Sequence, residues 1–301
     1  MSIRSIISGW IVLLFAAPVA LAQHGAPPAR PDVKPGELTP WTRLLVEAIE
    51  TAHGAEQLRE PKRTLAFDLT FTMQGHPSFT GTVHLEPSAG SRGRARLVSA
   101  SGMVLLDDGT RFWMSRDCEA DVSAQSKSEA IFLLKALPHF AGMPFRLRDA
   151  QVVLVPSGRR EVADVSYHAA TMTFPGMDDW FGVFAHMFQD RVMLIPWFIT
   201  TPETVEPEVG LPPAYVVEFS NFEETNDVTL ARTWTIRRWH RVDGPTDNPI
   251  GSASVKNVRV MELDEAIFTK PEGAVELMTM PPIKAESADS SDEQAEDAPT
   301  P

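Results

Sequence analysis

Cysteine, tyrosine and clustered positive charge are the scarce elements of this sequence. Cys118 is its single cysteine, so no disulfide can form within the chain and packing alone must hold the fold. Cys118 lies between Asp117 and Glu119. An acidic setting raises a thiol pKa, so a free structural thiol is expected there rather than a nucleophile. Lysine and arginine number 27 against 40 acidic residues, for a net charge of −13. No basic stripe and no aromatic-plus-arginine segment is present, which argues against nucleic acid and against an electrostatic hold on anionic membranes.

The motifs of catalysis and metal binding are missing too. His53, His76, His84, His139, His168, His186 and His240 come singly, with His24 near the start, and none stands in HxH or HExxH spacing. There is no GxSxG elbow, P-loop or dinucleotide fingerprint. Asp107-Asp108 and Asp178-Asp179 are adjacent pairs, and neighbours on a strand point to opposite faces, so neither is a ready acid/base dyad. Arg237 and Arg238, set between Trp234 and Trp239, read as a solvated strand end. The functional alternative is a polar rim around an apolar mouth. The expectation is a protein with no catalytic residues, cofactor or metal.

What is present is a sizeable apolar fraction, 43% of 301 residues, enough to bury a large core. Arg4, the apolar run Ile6 to Val19 and Ala20-Leu21-Ala22 form a secretory signal with cleavage expected after Ala22. Gly9 and Pro18 weaken that run, which is also short of the roughly 20 residues of a membrane span. A Pro-rich linker follows over 23–36, then one domain over 37–284. An acidic tail over 285–301 carries Glu286, Asp289, Asp292, Glu293, Glu296 and Asp297 and is expected to be disordered. These features place the protein in the periplasm or outside the cell.

Within the domain, Thr39 and Pro40 open a helix that Gly54 closes. Trp41, Leu44, Leu45, Ala48, Ile49 and Ala52 share its expected apolar face. "RTLAFDLTFTM" alternates cleanly as a strand, with Leu65, Phe67, Leu69, Phe71 and Met73 on one side. "FTGTVHLEP", "GRARLVS" and a hairpin turning at Asp108-Gly109 extend the meander. "SKSEAIFLLKAL" reads as a second helix, opened by Ser126 and Glu129 and stopped by Pro138. Strands resume from "AQVVLVP" to "SASVKNVRVME", and Ile267 and Phe268 tuck in near the end. The fold class predicted is mainly β with inserted helices (α+β). It is a single strongly curved antiparallel sheet, an open half-barrel of about ten or eleven strands covered by helices.

One stretch resists the usual pattern. "DDWFGVFAHMFQDRVMLIPWFIT", residues 178–200, is apolar at both parities, although its polar centre, His186 to Arg191, excludes a membrane helix. It reads as a hairpin bending near Gln189-Asp190. A hairpin with no polar side needs cover on both faces: helices on one, and core, ligand or partner on the other. Met172, Met177, Met187 and Met193, nearby in sequence, favour adaptable contact with apolar ligands.

The order of parts resembles the LolA/LolB-like periplasmic lipoprotein-carrier superfamily over roughly residues 37–275. The similar features are the signal, the helix ending "AHGAEQL", the hairpin "LLDDGTRFWM" and the mid-chain helix. The closing "FEETNDVTLARTWTI" and "VKNVRVMELDEAIF" complete the series. The resemblance implies a half-barrel around an apolar cavity, binding acyl chains without catalysis or cofactor. The lipid-attachment cysteine of membrane-anchored members is missing here. On this view a lipid or acylated protein is the partner. The cavity would be lined by Leu69, Phe71, Val83, Phe112, Met114, Phe181, Val183, Met193, Ile195 and Trp197. Two alternatives stand beside it. One is an envelope structural or protein-interaction module that uses the 178–200 hairpin as its contact. The other is an enzyme on a β scaffold.

Overall fold

The computed structural model describes residues 33–59, 62–87, 93–115, 123–149, 151–174, 180–198, 214–240 and 244–279. The signal segment, most of the Pro-rich linker, Cys118, Asp178-Asp179 and the acidic tail lie outside the described residues. Helix α1 spans Pro40–His53 and helix α2 spans Ala124–Gly142. The strands are β1 (Arg63–Met73), β2 (Phe79–Glu86), β3 (Arg94–Ser99), β4 (Val104–Asp107), β5 (Arg111–Ser115), β6 (Val153–Val162) and β7 (Val165–Thr173). They continue as β8 (Trp180–His186), β9 (Val192–Phe198), β10 (Ala214–Thr225), β11 (Val228–His240), β12 (Gly244–Glu262) and β13 (Val275–Thr279).

All thirteen form one sheet in the order β13-β5-β4-β3-β2-β1-β12-β11-β10-β9-β8-β7-β6. The chain meanders from β1 to β5, leaves for α2, re-enters at the far edge as β6 and meanders back to β12. There β12 joins β1 antiparallel, with Arg63 opposite Glu262 and Met73 opposite Gly251. The sheet is open, because β13 and β6 stand at opposite edges. It is also strongly curled. Phe112 lies on the second strand from one edge and Phe181 on the third from the other, yet both line one recess. This is the expected half-barrel, with more strands than expected. Strand β13 falls beyond the last segment with strand patterning. One expected strand, "REVADVSYHA", is split by a two-residue turn at Ala163-Asp164. Both turn residues take positive φ, 47° and 62°, the twist that a two-residue hairpin needs.

The helices fill the curve. Thr39 caps α1 through its side chain and Gly54 ends it at φ 67°. The face that α1 buries differs from the expected one. Leu45, Val46 and Ile49 point inward with Thr42, Glu50 and His53, whereas Trp41 is 36% and Leu44 67% exposed. The buried polar residues explain the rotation, since each has a specific partner that an apolar side chain would not need.

α2 departs further from expectation. Its cap is Ser123, three residues before the expected one, and Pro138 does not stop it. A proline inside a helix removes one backbone bond and costs about 3 kcal/mol in isolation. Here Leu137, Pro138, His139, Phe140, Ala141 and Gly142 are all buried, and that packing carries the helix through.

Candidate functional site

The concave face of the sheet is the candidate site. Leu65, Phe67, Leu69 and Phe71 of β1 form one buried row, the direct result of period-2 alternation in "RTLAFDLTFTM". Val83 and Leu85, Leu97, Leu105, Phe112 and Met114 extend it toward the β13 edge. Val217, Ile195 and Trp197, Phe181 and Val183, and Met172 extend it toward β6. Leu133, Leu134, Leu137 and Phe140 of α2 lie on this surface, and Leu45, Val46 and Ile49 of α1 complete the cover.

Nine of the ten residues expected to line a cavity lie buried in this cluster: Leu69, Phe71, Val83, Phe112, Met114, Phe181, Val183, Ile195 and Trp197. Met193 does not join them. Phe184 pairs with Leu194 and Ala185 with Val192, which leaves Met193 as an extra residue in β9. A bulge of one residue reverses the facing of everything before it. Val192 therefore turns to the concave side, and Met193 packs half-buried in a separate cluster with Tyr167, Leu194 and Val216.

That separate cluster is what the second apolar face of the 178–200 hairpin meets. Phe184 stands 6.0 Å from Tyr167 and 6.1 Å from Trp239, ring centre to ring centre. Both faces of the hairpin are thus covered, the concave one by α2 and the convex one by neighbouring side chains of the sheet. Its tip stands clear, where Phe188 is 85% exposed.

The two helices are attached by different means. His53, at the end of α1, is 1% exposed and uses both ring nitrogens. Nδ1 donates to the Thr229 carbonyl at 2.9 Å, and Nε2 accepts from the Val192 amide at 3.1 Å. The second bond fixes the neutral tautomer. Burial holds this imidazole down at about 4; the Thr229 bond opposes that shift and nearby Arg191 adds to it. Glu50 accepts from Arg148 at 2.9 Å and also from Arg59. By contrast, α2 makes no hydrogen bond to any strand among the described residues. It is held by apolar contacts: Phe140 lies 5.6 Å from Trp197 and 6.4 Å from Trp234, and Phe132 lies 5.7 Å from Trp197.

Among the described residues, two small spaces flank α2. One, about 20 Å³, is lined by His53, Phe140, Trp234 and their neighbours. The other, about 40 Å³, lies at the end of α2 between β4-β5 and β7-β8. Each has room for a water or two, where pockets for organic ligands run from roughly 300 to 1,000 Å³. In this arrangement α2 takes up the concave space.

The second space is polar, a feature the sequence did not announce. Asp107, His139, Asp149 and Gln151 are buried around it, with Lys135 and Arg146. Arg146 Nε donates to Asp149 Oδ2 at 2.9 Å. Burial first, and then the Arg146 charge, hold His139 neutral, well below the ordinary histidine range. The one signal in the sequence was the run "HFAGMPFRLRD", polar residues inside an apolar segment. Of the other histidines, His84 is on β2, His168 on β7 beside Trp41, and His186 at the end of β8. No group of three metal-ligating side chains gathers among the described residues. Arg237 is engaged by Glu218 at 2.8 Å. No helix among the described residues is long and apolar enough to cross a membrane.

No protein-family model matches the sequence, and no curated protein sequence matches it. Similar folds occur among solved structures. A LolA superfamily protein from Nitrosomonas europaea matches with a TM-score of 0.46 and 10% identity, over 76% of this chain and 97% of the other. A DUF1329 family protein from Desulfovibrio piger matches with a TM-score of 0.47 and 11% identity, over 75% and 97%.

Proposed function

We propose that this chain is a non-enzymatic binding or carrier protein for a lipid, an acylated protein or another apolar ligand, working in the periplasm or outside the cell. One observation carries this reading. The helix that covers the apolar concave face is held there by apolar contact alone, with no hydrogen bond to the sheet among the described residues. An acyl chain entering between α2 and the sheet would replace those contacts in kind, and no buried polar group would lose a partner. Pro138 supplies a place for the helix to bend, because it cannot donate to the Leu134 carbonyl one turn back. The first two-thirds of α2 would swing outward while its buried end stays in place.

The test is uptake of a fluorescent acyl probe by the purified chain, followed by energy transfer from its tryptophans. Wild-type protein should take up the probe. Phe140→Ala, which loosens α2 from Trp197 and Trp234, should take it up faster. Failure of both proteins to bind, with native mass spectrometry finding no retained lipid, would sink the reading. The alternative of an envelope interaction module keeps one supporting observation, the exposed Phe188. Trp197 is buried under α2 and is unavailable to such a contact. A dimer that dissociates on Phe188→Ser, in a protein that never binds the probe, would favour it.

A further inference from the structure

We propose that the polar recess at the end of α2 binds the anionic head of an amphiphile, a carboxylate or phosphate, and takes up a proton as it does so. The inference deepens the reading above and rests on it.

The recess bridges the two ends of the curled sheet. Lys135 and His139 reach it from α2, Arg146 and Asp149 from the segment after α2, and Asp107 from β4, while Phe174, just after β7, and Phe181 of β8 are its described lining on the other side. Lys135 and Arg146 bring positive charge to the recess, and Asp107 and Asp149 bring negative charge. Arg146 uses Nε on Asp149, and Asp107 lies close enough to act on its charge. Among the described residues, its two terminal nitrogens make no hydrogen bond. They form the planar fork that pairs with carboxylate or phosphate. His139 is 4% exposed and its Nε2 is buried without a partner, an arrangement that costs stability unless something uses it.

An oxyanion at the Arg146 fork would bring one negative charge next to the buried His139. That charge would favour protonation of His139, which turns its unpartnered nitrogen into a donor toward the anion. The recess also opens onto the apolar interior. Leu134 and Phe181 line it and belong to the main core, so the tail of the same ligand would continue between α2 and the sheet. A hydroxyl head would gain little from this recess, and a cationic head would meet Arg146 and Lys135.

The experiment is calorimetric titration of the full chain with dodecyl sulfonate, dodecyl phosphate, dodecanoate and dodecanol at pH 7.5 and 5.5. Sulfonate stays ionised at both, so its pH dependence belongs to the protein. Sulfonate should bind about tenfold tighter than the alcohol at pH 5.5 and lose most of that advantage at 7.5, with proton uptake visible as a buffer-dependent heat. Phosphate against carboxylate then ranks the two sources of the head. Lys135→Gln, at a half-buried position, should weaken the anions several-fold and leave the alcohol unchanged. His139→Gln should flatten the pH dependence. Equal binding of alcohol and sulfonate, or sulfonate binding indifferent to pH, overturns the proposal while the apolar-ligand reading stands. Binding of none of the four removes both.

Discussion

α1 and α2 cover the same sheet, but among the described residues only α1 is hydrogen-bonded to it. Each carries a fully buried histidine near its end. His53 has both nitrogens engaged with main-chain partners from β9 and β11. His139 lies 3.8 Å from the Phe181 ring, centre to centre, with Nε2 unpartnered. The same side chain is a clamp in one place and a liability in the other. Burial alone therefore does not tell a fixed element from a movable one; the fate of the polar atoms does.

The comparison breaks most severely at the α1 terminus. Gly54 sits at φ 67°, and a Cβ there would fall 1.7 Å from the Asp227 carbonyl oxygen. Gly54→Ala should cost at least about 4 kcal/mol, seen as loss of soluble protein or a collapsed melting temperature. His53→Ala strands the Val192 amide and the Thr229 carbonyl and should cost about 3 kcal/mol in urea unfolding. Acid tests the same clamp without mutation. His53 is held near 4 in the fold against 6.5 for an ordinary histidine, so the unfolded chain takes the proton first. Its contribution is whole above pH 6.5 and drains away as pH falls toward 4, by about 3 kcal/mol. The slope of stability against pH in that window should shrink in the His53 variant. His139→Leu sharpens the contrast. Removing a buried polar atom that lacks a partner should change stability by less than about 1 kcal/mol, in either direction. Leu44→Ser, on the exposed side of α1, should move it by no more than about 0.5 kcal/mol.

Much of this contrast was written in local sequence. The alternation of "RTLAFDLTFTM", the Thr39-Pro40 start, the Gly54 stop and the Asp108-Gly109 turn each depend on a few neighbouring residues, and each formed as read. What stayed hidden depended on distant partners. Trp41 and Leu44 match Leu45 in hydrophobicity, and only the pairing of Glu50 and His53 with remote groups decides which way α1 rolls. Met193 leaves the concave face because of a bulge that has no glycine or proline to mark it. Pro138 stays helical because everything around it is buried. The polar recess assembles from β4, α2 and the segment after α2, parts whose proximity is a product of the curl.

The join between β1 and β12 sets an order of events for the newborn chain. Among the described strands it is the one seam between the outgoing meander, β1 to β5, and the returning one, β6 to β12. It pairs Arg63 with Glu262, so it cannot form until nearly all of the polypeptide is available. Until then the apolar row from Leu65 to Phe71 sits on an open edge strand. Closing so long a loop is slow, and unpaired apolar edges invite aggregation meanwhile. Circular permutants that place β12 directly before β1 should refold faster than the natural order.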